Sequence, residues 1–268
     1  MIYIRDVPVV ILCGGTGTRL KMQTEFIPKP MVPIGGKPML WHIMKYYSHY
    51  GFRKFILALG YKQEVIKDYF LHFDAINNDI GVNVGSGDGA PEPYVPDNPE
   101  PWTVILSDTG QYTMKGGRLS RIRKYIDSDI FMMTYGDGIG NVNLKVLLKY
   151  HLCFHNKIAT VTGVRPISRF GEINHEGGLV TSFSEKPKKD GCLINGGFFV
   201  FNKRIFDYLN DAENCDLEVG PLEQLAKDQE LMVYKHEGFW RCMDTLNEMI
   251  ELDNMWREGK AKWKIWDK

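Results

Sequence analysis

Val9-Val10-Ile11-Leu12-Cys13-Gly14-Gly15-Thr16-Gly17-Thr18-Arg19-Leu20 is the stretch that decides the fold class of this chain. Five apolar residues run unbroken and stop at two glycines. A half-exposed strand would alternate, so the run predicts a strand buried on both faces, as in a parallel sheet. A loop follows to about Lys37. Pro38 suits the first turn of a helix, and Leu40, Ile43, Met44 and Tyr47 recur at helical spacing up to Gly51. Phe55-Ile56-Leu57-Ala58-Leu59 then repeats the buried-strand pattern and ends at Gly60, and Val65, Ile66, Tyr69 and Phe70 mark a second helix. Strand, helix, strand, helix in this order predicts an α/β fold with parallel βαβ units.

Further along, Val104–Leu106, Ile130–Met133 and Ile158–Val164 read as strands, and Leu144, Leu147 and Leu148 lie on a helix. The C-terminal part alternates shorter strands (Val180–Phe183, Phe198–Phe201, Leu231–Tyr234) with helices near Pro221–Lys227 and from Thr245 to about Glu258. Thr245 and Glu248 have capping-box spacing. Gly81 to Trp102 holds four Gly and five Pro in 22 residues, a loop length associated with functional or mobile segments. The whole is read as one domain over 1–268.

Length and charge bound the function. A chain of 268 residues buries a core without staples. With 33 Lys+Arg against 33 Asp+Glu, it offers neither a nucleic-acid footprint nor a polybasic membrane patch, so any anion must be bound by local charges. The five cysteines (Cys13, Cys153, Cys192, Cys215, Cys242) are odd in number and lack CxxC spacing, which argues against a disulfide framework or a zinc site. The first residues lack the apolar core of a signal peptide, and no apolar run approaches a membrane span. A soluble cytoplasmic protein is the expectation. The seven histidines have no metal-ligand spacing and read as surface or packing residues. Trp41, Tyr46 and Tyr47 read as core.

Six clusters carry chemistry. Leu12-Cys13-Gly14-Gly15-Thr16-Gly17-Thr18-Arg19 at a strand's carboxyl end lets backbone N–H groups approach a phosphate or base, with Arg19 as a fixed charge; the other reading is an ordinary Gly-rich turn. Leu20 stands where a Rossmann fingerprint needs its third Gly, and no acid follows the second strand at Gly60-Tyr61-Lys62, so a dinucleotide-dependent oxidoreductase is excluded. Pro28-Lys29-Pro30 fixes the backbone around a lysine. Asp137 in Tyr135-Gly136-Asp137-Gly138 follows a strand, a position suited to Mg²⁺, although for Asp-Gly after a strand a turn aspartate capping the next helix is the commoner case. Ser184-Glu185-Lys186-Pro187, Asn195-Gly196-Gly197 and Trp240-Arg241-Cys242-Met243-Asp244-Thr245 complete the set.

In this order the clusters resemble the sugar-1-phosphate nucleotidylyltransferases, over nearly the whole chain from about Val9 to Trp266. Pro33–Met44, Asp108-Thr109-Gly110 with Thr113 and Gly116-Gly117-Arg118, and Gly238–Leu246 resemble the cytidylyltransferase branch acting on glucose 1-phosphate. Departures are the extension Met1–Pro8, Cys13 where Ala is usual, and the 81–102 loop. The resemblance implies the nucleotide-diphospho-sugar transferase fold, with a Rossmann-like mixed, mainly parallel sheet flanked by helices. It implies a nucleotide-binding part over about 1–140 and a sugar-binding part over about 141–268. CTP and a sugar 1-phosphate would give CDP-glucose and pyrophosphate. UTP, dTTP or another sugar 1-phosphate is the alternative, and a sensor lacking activity a remoter one.

Roles follow from the same resemblance. Leu12 to Arg19, Lys29, Thr113, Arg118 and Asp137 would bind nucleotide. Arg19, Lys29, Asp137 and Lys186 would be catalytic. Gly171, Glu172, Glu185, Lys186, Asn195 and Trp240 would bind the sugar phosphate, and Asp137 with Asp244 would hold Mg²⁺. Thr113 and Arg118, placed after the long loop, would reach over a subunit boundary. A homo-oligomer, as large as a hexamer, is implied too.

Overall fold

The computed structural model describes residues 3–17, 20, 24–81, 92–93, 99–166, 172–184 and 193–266. Its centre is an eight-stranded sheet built from β1 (Val9–Cys13), β2 (Lys54–Leu59), β3 (Thr103–Asp108), β4 (Ile130–Tyr135), β5 (Ala159–Val164), β6 (Ile194–Asn195), β7 (Phe199–Asn202) and β8 (Leu231–His236). β1 lies between β4 and β2, parallel to both, with Val9 beside Met132 and Phe55. β3 extends the parallel half beyond β2. β7 runs antiparallel between β4 and β5, β6 pairs antiparallel with β5, and β8 closes the far side parallel to β5. The sheet is mixed and mainly parallel.

All five residues of β1 are buried, which is why its sequence does not alternate. Val9, Ile11 and Cys13 face one apolar cluster with Phe55, Leu57, Met132 and the helix α1 (Met39–His49). Val10 and Leu12 face the other, with Ile56, Phe131, Phe199 and Leu119. Helices therefore cover both faces: α2 (Gln63–Leu71), α3 (Phe73–Asn77), α4 (Lys115–Arg121), α5 (Leu144–Phe154), α6 (Glu223–Lys227) and α7 (Leu246–Arg257) complete the set among the described residues. Pro38 precedes α1 rather than entering its first turn. It closes a small hairpin, Pro33–Ile34 against Lys37–Pro38, in what the sequence suggested was plain loop. Tyr46 and Tyr47 are fully buried, whereas Trp41 stays half-buried with the Lys37 and Lys45 ammonium groups over its ring. Among the described residues no helix is long and apolar enough to cross a membrane. Most of the 81–102 loop, and Cys192, lie outside the described residues.

Two histidines are packed into this core as neutral rings. His42 bonds through Nε2 to the Ile34 carbonyl at 2.7 Å, and its Nδ1 accepts from the Trp263 indole at 3.4 Å. His151 meets the Thr160 hydroxyl at 2.9 Å. Burial lowers each to about 4 from the ordinary 6.5. Below pH 6.5 the unfolded chain takes up protons that the folded chain refuses, so stability is complete above that pH and is lost as pH falls toward 4. At pH 5 each ring is expected to cost roughly 2 kcal/mol. Urea unfolding at pH 7.5 and pH 5 measures the difference; an unchanged unfolding free energy would refute it.

Candidate active site

The carboxyl ends of the neighbouring parallel strands β1 and β4 open on a cleft of about 380 Å³, with α4 and the residues just before it on the other side. Open α/β sheets bind ligands at this edge because strand ends there release loops and unpaired backbone donors. Leu12, Cys13, Gly14, Gly15 and Gly17 line one wall, followed by Lys29, Pro30, Thr113, Arg118, Gly136, Asp137 and Asp244. Gly17 has φ +62, a conformation that glycine adopts without strain, and a side chain there would also meet Thr24.

Lys29, Asp137 and Asp244 come from three distant parts of the chain and meet at one point. Lys29 Nζ donates to Asp137 Oδ2 at 2.6 Å and to Asp244 Oδ1 at 2.6 Å. Burial works against the charge on Lys29, but the two carboxylates outweigh it and hold its pKa above the ordinary lysine value. A short ribbon supplies the geometry. Gly138–Gly140 pairs antiparallel with Trp240–Cys242, and the Met243 amide donates to the Asp137 carbonyl at 2.9 Å. Asp137 and Asp244 thus leave the ribbon side by side. The cap of α7 is made without Asp244: Thr245 and Glu248 form the reciprocal capping box, which leaves the Asp244 carboxylate directed at Lys29.

Two oxygens converging on one positive charge also fit a divalent ion. Mg²⁺ usually takes one or two carboxylates and completes its shell with water and substrate phosphates. No cluster of three or more His, Cys, Asp or Glu side chains suited to a metal exists among the described residues. Burial pushes the neighbouring Cys242 thiol up to about 12 and Cys13 higher still, so neither is a thiolate near neutral pH.

Arg118 sits almost wholly buried under the other wall. Its guanidinium donates to the carbonyls of Leu59 (2.9 Å), Gly110 (2.7 Å), Gly14 (2.9 Å) and Gln111 (3.1 Å), and to the Thr109 hydroxyl (2.8 Å). One side chain therefore ties the loops after β1, β2 and β3 together. Thr113 is buried beside it and accepts from Arg121 at 2.8 Å. Both Thr113 and Arg118 line the cleft of their own chain.

On the side predicted to hold sugar, Asn195 donates to the Tyr135 hydroxyl at 2.9 Å, and Tyr135 donates to Glu218 at 2.7 Å. Glu218 is also paired with Lys115 at 2.6 Å. Trp240 spends its indole N–H on the Gly196 carbonyl at 2.8 Å, fixing the turn between β6 and β7. Lys115, Tyr135 and Asp216 line the cleft without having been read as site residues. Tyr135 belongs to the Tyr135-Gly136-Asp137-Gly138 motif, whereas Lys115 and Asp216 carry no local signal. Thr18, Arg19, Gly171, Glu185 and Lys186 lie outside the described residues, as does the side chain of Glu172, whose backbone opens the strand Glu172–Glu176.

The chain is similar to known proteins over nearly its whole length. The family model described as nucleotidyl transferase matches residues 8–86 and 110–257. The chain is 46% identical over 257 residues to a probable glucose-1-phosphate cytidylyltransferase of Bacillus subtilis (strain 168), covering 96% of this chain and 99% of that protein. It is 46% identical over 260 residues to the glucose-1-phosphate cytidylyltransferase of Salmonella typhi, with the same coverage. Among solved structures, HddC from Yersinia pseudotuberculosis complexed with GMP-PN superposes with a TM-score of 0.67 at 24% identity, over 93% of this chain and 99% of that one. An apo UDP-glucose pyrophosphorylase superposes with a TM-score of 0.65 at 17% identity, over 95% of this chain and 99% of that one. These last two establish the fold, a nucleotide-diphospho-sugar transferase architecture.

Proposed function

The chain belongs to the nucleotidyl transferase family, and from that premise we propose that it transfers the cytidylyl group of CTP to glucose 1-phosphate, giving CDP-glucose and pyrophosphate. The observation that carries the reaction class is the meeting of Lys29, Asp137 and Asp244 beside the Gly14–Gly17 loop. The near full-length similarity to two cytidylyltransferases supports the choice of base and sugar.

A phosphate oxygen of the sugar 1-phosphate bonds to the α-phosphorus of CTP as the bond to the bridging oxygen of pyrophosphate breaks. Mutual repulsion of two polyanions is the obstacle, so positioning and neutralisation supply the catalysis. The Gly14 and Gly15 backbone gives the nucleotide close approach to the end of β1. Lys29, freed from its carboxylates, binds phosphate and stabilises charge on the departing pyrophosphate. Asp137 and Asp244 would hold a divalent metal, Mg²⁺, which when bound neutralises charge on the phosphates. Arg19 and Lys186 are assigned to phosphate, on the two sides of the reacting phosphorus. Asn195, held by Tyr135, faces sugar hydroxyls, together with Gly171, Glu172, Glu185 and Trp240. The first ~140 residues then serve the nucleotide and the remainder the sugar. No protein nucleophile is needed, because the sugar phosphate is itself the nucleophile.

A cytoplasmic homo-oligomer belongs to the same proposal. The test is pyrophosphate release from CTP, UTP, dTTP and ATP, each against several sugar 1-phosphates with Mg²⁺. CTP with glucose 1-phosphate is expected to exceed every other pair in kcat/KM by at least about tenfold. A faster UTP or dTTP reaction would reassign the base.

A further inference from the structure

Lys29 stands where a divalent cation would have to sit. Its Nζ is 2.6 Å from an oxygen of each aspartate, and its side chain is only 12% exposed, so the two carboxylates are already bridged by a positive charge. The backbone that delivers it is braced. Pro28 and Pro30 flank it in a single helical turn, closed by Met31 N–H donating to the Pro28 carbonyl at 2.8 Å and Val32 N–H to the Lys29 carbonyl at 3.2 Å. Pro30 packs against Gly136, next to Asp137. The ammonium can therefore change partners only by swinging its four-carbon stem, and the cleft into which it can swing is lined by Gly14, Gly15 and Gly17.

We propose that Lys29 is the resident cation of the Asp137–Asp244 pair in the nucleotide-free protein, and that a divalent metal gains both carboxylates only when nucleotide phosphates draw the ammonium away. An ammonium and a divalent ion sharing two carboxylates would repel each other at contact distance in a poorly hydrated site. A triphosphate removes the conflict by supplying anionic oxygens to both cations. Metal and nucleotide then favour each other's binding, and the coupling is reciprocal. The bare protein resists loading by free metal.

The inference rests on Asp137 and Asp244 as metal ligands, but not on the identity of base or sugar. Mn²⁺ binding to the full chain, followed by calorimetry and water-proton relaxation, tests it in three arms: wild type with Mn²⁺ alone, wild type with Mn²⁺ and a non-reacting α,β-methylene CTP (corrected for Mn²⁺ bound by the analogue itself), and Lys29→Met with Mn²⁺ alone. Wild type is expected to bind Mn²⁺ at least about tenfold more weakly alone than with the analogue. Lys29→Met is expected to bind Mn²⁺ alone at least about tenfold more tightly than wild type, and Mn²⁺ should raise its Tm while leaving that of wild type unchanged. Equal Mn²⁺ affinity of wild type with and without the analogue overturns the proposal, as does a Lys29→Met that folds and gains no affinity. Should Lys29→Met fail to fold, the two wild-type arms decide alone. Absence of Mn²⁺ binding in every arm removes the metal reading of the aspartates, and the proposal with it; CDP-glucose formation would then still leave the proposed substrates standing.

Discussion

Asp137→Asn and Asp244→Asn are each expected to lower kcat on the order of 10³-fold at saturating Mg²⁺, about 4 kcal/mol of transition-state stabilisation, while the protein stays folded. The expected size reflects the place of these groups. Both carboxylates converge on one cation position at the carboxyl edge of the sheet, where charge on the reacting phosphates must be offset. An amide keeps the shape of the side chain and one acceptor oxygen but loses the charge. Folding should survive for two reasons. Lys29 retains the other carboxylate in each variant, and α7 is capped by Thr245 and Glu248 rather than by Asp244. KM for CTP should move less than kcat, because the phosphates keep the glycine loop and Lys29. A kcat within tenfold of wild type for either variant would show that the pair does not hold the metal.

The frame of this molecule was readable because its strands are buried on both faces. Val9–Cys13, Phe55–Leu59 and Ile130–Met133 are apolar runs with no alternation, and each lies within a strand of the sheet, at Val9–Cys13, Lys54–Leu59 and Ile130–Tyr135. The cap of α7 was legible for a similar local reason, since Thr245 and Glu248 act across one turn. α4 was not legible. Gly116-Gly117 in its first turn lowers helix propensity, and only the tertiary fold explains them. A Cβ at Gly116 would lie 2.5 Å from the Asp216 carbonyl, and one at Gly117 2.5 Å from the Ala212 carbonyl. The turn at Glu218–Leu222 was invisible too, because Val219 is extended and Gly220 has φ +99 inside it.

The site divides along the same line. Lys29, Asp137 and Asp244 could each be picked from a short motif. Their convergence depends on the ribbon between Gly138–Gly140 and Trp240–Cys242, a pairing across about a hundred residues that no local pattern encodes. Lys115 and Glu218 depend on the docking of α4 against the turn at 216–222, and so were missed.

Arg118→Lys is expected to destabilise the fold by roughly 3 kcal/mol, a Tm decrease of roughly 5 °C for a domain of this size. The planar fork reaches four carbonyls and a hydroxyl on three loops, and a single ammonium cannot span them. Leu59 and Gly14 keep other backbone donors, from Thr109 and Tyr61, which limits the loss. KM for CTP should rise at least about tenfold, because Gly14 and the 108–111 loop lose their common tie beneath the nucleotide. Direct contact of Arg118 with CTP would also raise KM, so a second substitution is needed to separate clamp from contact. Gly60 provides it. A Cβ there would stand 2.2 Å from Arg118 Nη1, and the backbone at Gly60 is not in the left-handed region, so alanine disturbs the guanidinium without straining the chain. Gly60→Ala keeps the charge and displaces the fork. It is expected to reproduce most of the rise in KM for CTP with a smaller fall in Tm. If Gly60→Ala binds CTP as wild type does, the seating of the fork beneath the loops does not set CTP affinity, and the clamp is refuted.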